Sequence, residues 1–442
     1  HNPNRKFTLS LIEFHKKGCG LSCVFYPARQ GLCMHFNSHL FWRTTLRSFF
    51  GASHTPARLN RKRLTFLVLF YLVWPIGDLI HWFFFWLDDL LFPAYKNQPI
   101  EKPLFILGNF RSGSTFLHRL LSRDSETFTS LTTWDIYLTP SVTQKKITHF
   151  VARLDRKYFG SALHRLLFAF DKATLGKVKI HRISFFQPEE DENIHLHIWD
   201  GYFVSFLFPF MDEMPDYIHF DAALSPEHKR RIMAFYKSML QRHMYATGKK
   251  HFVAKNPAFS AKIETLKEFF PDACIIYLVR NPLDMLPSTV SWINYARRVF
   301  TDPGEGYYYL DEIVDLTQHW YVHPLRYLDA HPSTRHLVLN YDDLIQRPEQ
   351  VIRSFYEQFN YPDKPLLDSI VDEAVKEALS FASDHVYSYE KMGFTRERIV
   401  ALYPEIFERF GFETGAAPAP ETPVPVTLEP LPQEAYLKKQ QR

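Results

Sequence analysis

Two short stretches carry most of the chemistry this chain can do. The first is Gly108-Asn-Phe-Arg-Ser-Gly-Ser-Thr115, where two glycines bracket four residues and a Ser-Thr pair follows. Leu104 to Leu107 before it reads as a buried strand, and a helix opens at Ser114. Such a loop turns backbone N–H groups toward an anion, and the helix N-terminus adds partial positive charge. The spacing is nearly that of a P-loop, but Ser114 stands where its lysine is expected. The fixed positive charge lies inside the loop instead, at Arg111. The second stretch starts where the apolar run Cys274-Ile-Ile-Tyr-Leu-Val279 ends in Arg280. Metal-dependent phosphoryl transfer places an Asp at such a strand end. A guanidinium there suits bidentate phosphate binding instead. Ser288 falls near the start of the following helix and donates to the same group. The two stretches predict two anion sites at two strand ends, a nucleotide with phosphates at separate positions, and no evident metal site.

Other reactive side chains are scattered. Lys255 ends the short strand His251-Phe-Val-Ala-Lys255. Gln187-Pro-Glu-Glu-Asp-Glu192 sets four consecutive acids after an apolar run. A charge run is ordinarily a solvated face. His195 and His197, at i and i+2, do not have helical ligand spacing and read as packing or rim residues, with taking the acceptor proton as the alternative. Cys19, Cys23 and Cys33 lack the paired spacing of a zinc site, and Cys274 is alone in the body. That body cannot form an internal disulfide, and the chain has no glycosylation sequon. Both features point to a reducing, cytosol-facing catalytic body.

The elements that must position these groups alternate between strand and helix from Lys102 onward. Strands are predicted at Leu104–Leu107, His251–Lys255, Ala273–Val279 and His336–Asn340. Helices are predicted from Ser114, through a helix-rich insert (136–170), over Leu224–Tyr245 behind Ser225-Pro226, over Ser260–Phe270, and over Pro348–Asn360. Apolar strands alternating with helices imply an α/β fold, a P-loop-like parallel sheet flanked by helices. Four regions follow: a basic arm (1–63), an apolar helical segment (64–97), the α/β domain (98–412) and a Pro-rich tail (413–442). At 442 residues the chain has ample length for a core.

The net charge of +4 hides an asymmetry, because the arm has eleven Lys or Arg against Glu13 alone. Such an arm seeks anionic surfaces, lipid head groups or nucleic acid. The apolar segment beside it, interrupted by Pro75-Ile-Gly-Asp78, selects a membrane surface and no nucleic acid. Two arms of that length are too short to cross a bilayer. The segment is expected to form an N-terminal apolar helical hairpin in one leaflet, returning the body to the cytoplasmic side. A single span and buried soluble helices are the alternatives.

Together the two anion elements resemble those of sulfotransferases that use 3′-phosphoadenosine 5′-phosphosulfate (PAPS). Leu107 to Phe116 is similar to their 5′-phosphosulfate loop, and Tyr277 to Ser291 to their 3′-phosphate element. Val253-Ala-Lys-Asn-Pro257 and Phe270-Pro-Asp-Ala273 resemble the bacterial-type, membrane-associated branch, over roughly residues 100–412. The resemblance implies PAPS as co-substrate with no metal required. It gives Arg111 the grip on the 5′-phosphate and migrating sulfonate, and gives Ser112, Gly113, Ser114 and Thr115 the loop contacts. Phe116 stacks near the adenine or packs in the core. Arg280 and Ser288 take the 3′-phosphate. Lys255 touches the sulfonate or bridging oxygen, or forms a strand-end salt bridge. Tyr389, Lys391 and Gly393 fall where the family closes a loop over the nucleotide. The base for the acceptor hydroxyl falls in the acidic run, at Glu190 before Glu192, because like-charge crowding raises one carboxylate pKa.

The resulting expectation is a membrane-associated, PAPS-dependent sulfotransferase acting on a hydroxyl of a lipid, quinone or sterol-like acceptor. Its catalytic domain faces the cytoplasm. A P-loop kinase or nucleoside triphosphatase, and a non-catalytic membrane scaffold of the same fold, are the rivals. Oligomeric state is unknown from the sequence.

Overall fold

Five short strands run parallel in the computed structural model, which describes residues 35–174, 184–248, 251–304, 306–362, 368–372, 375–376 and 389–414. The basic arm through residue 34, with Cys19, Cys23 and Cys33, lies outside the described residues, as does the tail from Gly415. The strands are β1 (Leu104–Gly108), β2 (Phe128–Thr129), β3 (His251–Lys255), β4 (Cys274–Val279) and β5 (His336–Asn340), in the order β2-β3-β1-β4-β5. Every residue of β1 and β4 is buried, as expected of central parallel strands covered on both faces. Their side chains alternate between two cores. Phe105, Leu107, Ile275 and Tyr277 join one, while Leu104, Ile106, Cys274 and Ile276 join the other.

The helices that matter to the site are α1 (Ser38–Phe50), α2 (Arg61–Leu91), α3 (Ser114–Leu121), α4 (Val142–Phe159), α5 (Ala162–Thr174), α6 (Pro226–Thr247), α7 (Ile263–Phe269), α8 (Pro282–Phe300), α9 (Leu310–Ala330), α10 (Pro348–Phe359) and α11 (Arg396–Leu402). Leu117 and Leu121 of α3 and Phe355 of α10 pack on one face of the sheet. Leu266 of α7, Met285 of α8 and Trp320 of α9 pack on the other. α6 starts where the sequence predicts, with the Ser225 side chain capping the His228 N–H and Pro226 in the first turn. Residues 260–262, expected as the start of the helix, instead belong to a 3-10 turn (Pro257–Lys262) ahead of α7.

The apolar segment departs from expectation. It is one continuous helix of 31 residues, α2, with Pro75 inside it, and not a hairpin. The reason lies in the polar residues along the helix, including Asp78 of the expected break. Arg63, Asp78, His81 and Asp88 lie among the helix's buried residues and bond to the body. Arg63 Nη1 donates to the Leu207 carbonyl at 2.8 Å, and Asp78 Oδ1 lies 2.8 Å from His197 Nδ1. Asp88 takes the Arg242 Nε–H at 3.1 Å and the Val142 and Thr143 N–H groups at 2.8 Å each. These anchors hold the helix along the body past the proline, which would otherwise favour a break.

Candidate active site

β1 delivers the anion loop to the carboxyl edge of the sheet. Gly108 leaves the strand at φ +138°, and a Cβ there would sit 2.5 Å from the Leu278 carbonyl oxygen of β4. Gly113 caps α3 in the left-handed region, and a Cβ there would reach within 2.6 Å of the Tyr341 ring. Only glycine fits both places. Between them Arg111 also has φ +66°, a strained conformation for a residue with a side chain. Its carbonyl accepts from Arg280 Nη1 at 3.0 Å, and its Nε donates to Ser288 Oγ at 3.0 Å. Thr289 Oγ1 donates to the Phe110 carbonyl at 3.2 Å. The two anion elements, 177 residues apart at Arg111 and Ser288, are therefore one hydrogen-bonded unit.

Arg280 is held from behind. Its carbonyl accepts from the Tyr321 hydroxyl at 2.5 Å, and its guanidinium lies 4.6 Å from the Tyr341 ring centroid. The buried Arg280 Nε and Ser112 Oγ have no hydrogen-bond partner among the described residues. Buried polar atoms left unsatisfied are costly, and these two sit where an anion would satisfy them. Ser114 is buried and Thr115 half-buried at the start of α3, whose first N–H groups lack intrahelical carbonyls.

β3 brings Lys255 to the same edge, paired in register with Ile106 of β1. Lys255 is 3 % exposed, and its Nζ donates to Glu190 Oε1. Glu190 is the N-cap of a 3-10 helix, Asp191–His197, and is 5 % exposed. Its Oε2 is buried without a partner among the described residues. Three members of the acidic run, Glu190 to Glu192, are thus buried and Glu189 is half-buried, so the run is not a solvated face, and its members do different work.

Glu192 accepts Lys262 Nζ at 2.7 and 3.0 Å and the Tyr202 N–H at 3.1 Å, and it lies 3.1 Å from His195 Nδ1. Burial alone would raise its pKa, but Lys262 and His195 hold it down to about 2. Both Glu192 oxygens are thus engaged, whereas Glu190 keeps one oxygen without a partner among the described residues. Asp191 behaves oppositely. Burial pushes it up to about 7, even though the Tyr236 hydroxyl and Asn256 Nδ2 donate to it.

In the sequence His118 is one of several minor candidates, with His181 and His251, for taking the acceptor proton. It is 2 % exposed on α3, with Nε2 unpartnered among the described residues. Burial and the nearby Lys255 charge push its pKa down to about 3, so the ring is neutral. His195 and His197 are buried packing residues, bonded to Glu192 and to Asp78 respectively. Phe116 is half-buried against the α3–α10 core, which supplies the packing role of the two expected. Tyr389 packs against the opposite core, Lys391 is exposed, and Gly393 turns at φ +79° ahead of α11. His385 to Ser388 lie outside the described residues.

The cluster best suited by residue type to a cation is His35, Asp200 and His228, with ligand atoms within 4.8 Å of one another. Asp200 already accepts from the Tyr217 hydroxyl at 2.6 Å and from Asn37 Nδ2 at 3.2 Å, besides both histidines. Those bonds hold its pKa below the usual carboxylate range despite burial. The cluster clamps the start of α1 onto the body.

Comparison with known proteins bears on this arrangement. The model of a sulfotransferase family matches residues 103–365. Omega-hydroxy-beta-dihydromenaquinone-9 sulfotransferase Stf3 of Mycobacterium bovis is 26% identical over 341 residues, covering 75% of this chain and 79% of that protein, and so is its Mycobacterium tuberculosis counterpart. The crystal structure of sulfotransferase STF1 from Mycobacterium tuberculosis superposes with a TM-score of 0.60 at 18% identity, covering 83% of this chain and 93% of that one. Sulfotransferase STF9 from Mycobacterium avium gives 0.60 and 18%, covering 86% and 97%. At that identity the two structures establish the fold.

Proposed function

We propose that this chain, which belongs to the sulfotransferase family, moves a sulfonate group from PAPS to a hydroxyl of a hydrophobic, quinone- or lipid-like acceptor. The observation that carries the donor is the bond between Arg111 and Ser288. It joins a cationic phosphate loop to a second cationic strand end, which suits a nucleotide phosphorylated at both 5′ and 3′ positions. Arg111, Ser112, Gly113, Ser114 and Thr115 hold the 5′-phosphosulfate, and Arg280 with Ser288 holds the 3′-phosphate. Tyr389, Lys391 and Gly393 flank the nucleotide from the α11 side.

Chemistry proceeds by in-line displacement at sulfur. Glu190 takes the acceptor's hydroxyl proton on Oε2, the oxygen that Lys255 leaves open. The acceptor oxygen bonds to sulfur as the bond from sulfur to the bridging phosphate oxygen breaks. Lys255 neutralises the charge that develops on that bridging oxygen. In the free protein Lys255 is held by Glu190, so donor binding that draws Lys255 toward the leaving group frees the base. The products are a sulfate ester and the 3′,5′-bisphosphate nucleotide.

The acceptor class is supported by the relative named for a hydroxylated menaquinone and by the apolar surface of α2, where Leu72, Val73 and Leu79 are 61%, 63% and 69% exposed. The same surface supports a membrane-associated protein, and the lone body cysteine with no glycosylation sequon favours a catalytic body on the cytoplasmic side. Incubation with sulfur-labelled PAPS and total membrane lipid tests the reading. Label enters one lipid product with the native chain and not with Arg111→Ala. Label that stays in nucleotide across varied lipid extracts sinks it.

A further inference from the structure

The outward face of α2 and the hairpin formed by α4 and α5 share a chemistry. α2 buries one stripe, including Arg63, Leu67, Phe70, Asp78, Phe85 and Asp88, with steps of three or four residues between most neighbours. Between Leu64 and Trp86 its exposed residues are all apolar except Thr65. By length and composition it could cross a bilayer. At 1.5 Å per residue it extends roughly 46 Å, against about 30 Å of hydrocarbon. The stripe argues against a crossing. Arg63 near one end, Asp78 in the middle and Asp88 near the other all bond to the body. Moving α2 into a bilayer would take Asp78 from His197 and Asp88 from Arg242, leaving charged groups unpaired in lipid, where they are expensive.

The α4–α5 hairpin adds a second observation. Its two acids both point inward. Asp155 accepts the Leu163 and His164 N–H groups at 3.0 and 3.1 Å, and Asp171 accepts Ser184 Oγ and the Phe185 N–H at 2.8 Å each. The exposed charged residues of the hairpin, Lys146, Arg153, Arg156, Lys157, Arg165 and Lys172, are all basic. Between them Phe150, Leu154, Phe159, Leu166 and Phe170 are 55%, 36%, 68%, 67% and 55% exposed. Apolar side chains interleaved with Lys and Arg are the composition of helices that lie at an anionic lipid surface. α4 begins where Asp88 of α2 holds the Val142 and Thr143 N–H groups, so the two surfaces adjoin.

We propose that this face beds into one leaflet of an anionic bilayer, with α2 lying along the surface and the α4–α5 hairpin inserting its apolar residues beside it. This deepens the membrane-associated reading above and is tested without turnover. The full chain is floated with vesicles of phosphatidylcholine, with and without phosphatidylglycerol. The native protein floats, and more of it floats on the anionic vesicles. Phe150→Glu with Leu154→Glu, or Leu72→Glu with Leu79→Glu, lowers the bound-to-free ratio at least about tenfold. Replacing Arg153, Arg156 and Lys157 by Glu removes the gain from phosphatidylglycerol. Unchanged near-UV circular dichroism and bisphosphate-nucleotide affinity show that these variants remain folded. Alkaline carbonate releases the native protein from vesicles.

Three results overturn the proposal: native protein that does not float, native protein that resists carbonate as a spanning helix does, or a dimer by light scattering that the apolar pairs dissociate. Flotation without any sulfonate transfer would sink the functional reading and leave this one standing.

Discussion

Lys255 and Glu190 form a buried ion pair at the carboxyl edge of the sheet, made through one carboxylate oxygen only. The other oxygen is also buried and has no partner among the described residues. A pair made only for stability would be expected to satisfy both oxygens, as Lys262, His195 and Tyr202 do for Glu192. Glu190→Gln should therefore lower kcat by about 10²- to 10⁴-fold, with nucleotide affinity by calorimetry nearly unchanged. A loss confined to nucleotide affinity would remove Glu190 from the chemistry.

Lys255→Met leaves the Glu190 carboxylate buried and alone. The expected cost is about 3–5 kcal/mol of unfolding free energy, read by denaturant titration. Adding Glu190→Gln to Lys255→Met restores much of that stability and none of the activity. A double variant no more stable than Lys255→Met would show that the pair is not coupled.

Arg111 and Ser288 divide their work. Ser288→Ala removes one hydroxyl from the proposed 3′-phosphate site and should weaken bisphosphate-nucleotide binding by about tenfold, leaving kcat at saturation near native. Arg111→Ala should lower both kcat and affinity, because Arg111 is the group proposed to grip the 5′-phosphate and migrating sulfonate and its carbonyl is braced by Arg280. Equal behaviour of the two variants in a KM-against-kcat comparison would argue against this division.

Asp191 and Glu192 give opposite pH signs. Asp191 rises in the fold from an ordinary 3.8 to about 7. The folded state then holds the proton more tightly, and the contribution from Asp191 falls as pH climbs from about 4 to 7. Glu192 drops from an ordinary 4.5 to about 2, so its contribution is full above pH 4.5 and is lost as pH falls toward 2. The limiting slope for either group is about 1.4 kcal/mol per pH unit. Unfolding titrations across pH 4 to 7 should show a flatter profile for Asp191→Asn than for the native chain. Parallel profiles would contradict the assignment.

Gly113→Ala tests the loop itself. The added Cβ meets the Tyr341 ring at 2.6 Å in a backbone conformation at φ +85°. We expect a loss of about 1–3 kcal/mol and near-complete loss of nucleotide binding. Native-like binding by this variant would mean that the loop tolerates a wider cradle.

Much of this site was legible along the chain. The glycine spacing, Arg111, Arg280 and Ser288 lie in two contiguous stretches whose local physics, strand then turn then helix, needs no distant partner. The acidic run was less legible. Its members are equivalent in sequence, and what separates Glu190 from Glu192 is the identity of their cations, Lys255 and Lys262, 65 and 70 residues away. The apolar segment misled for a related reason. Pro75 and Asp78 look like a turn when read locally, but Asp78 is held by His197, 119 residues on. His118 acquires meaning only from Lys255, on a neighbouring element. For Glu190, Glu192 and Asp78 a long-range polar contact decided the outcome, and such contacts leave no periodic trace.

The bond between Asp78 and His197 has a mechanical consequence. Asp78 belongs to the helix that we propose meets lipid, and His197 closes the 3-10 turn whose first residue is preceded by Glu190. The proposed base is therefore braced against α2, with one short helical turn as the strut. A chain trimmed to begin at residue 98 would keep every side chain that could touch the nucleotide, but the brace behind Glu190 would be gone. The apolar helix is to that extent part of the frame of the active site, and a soluble fragment without it is a different machine.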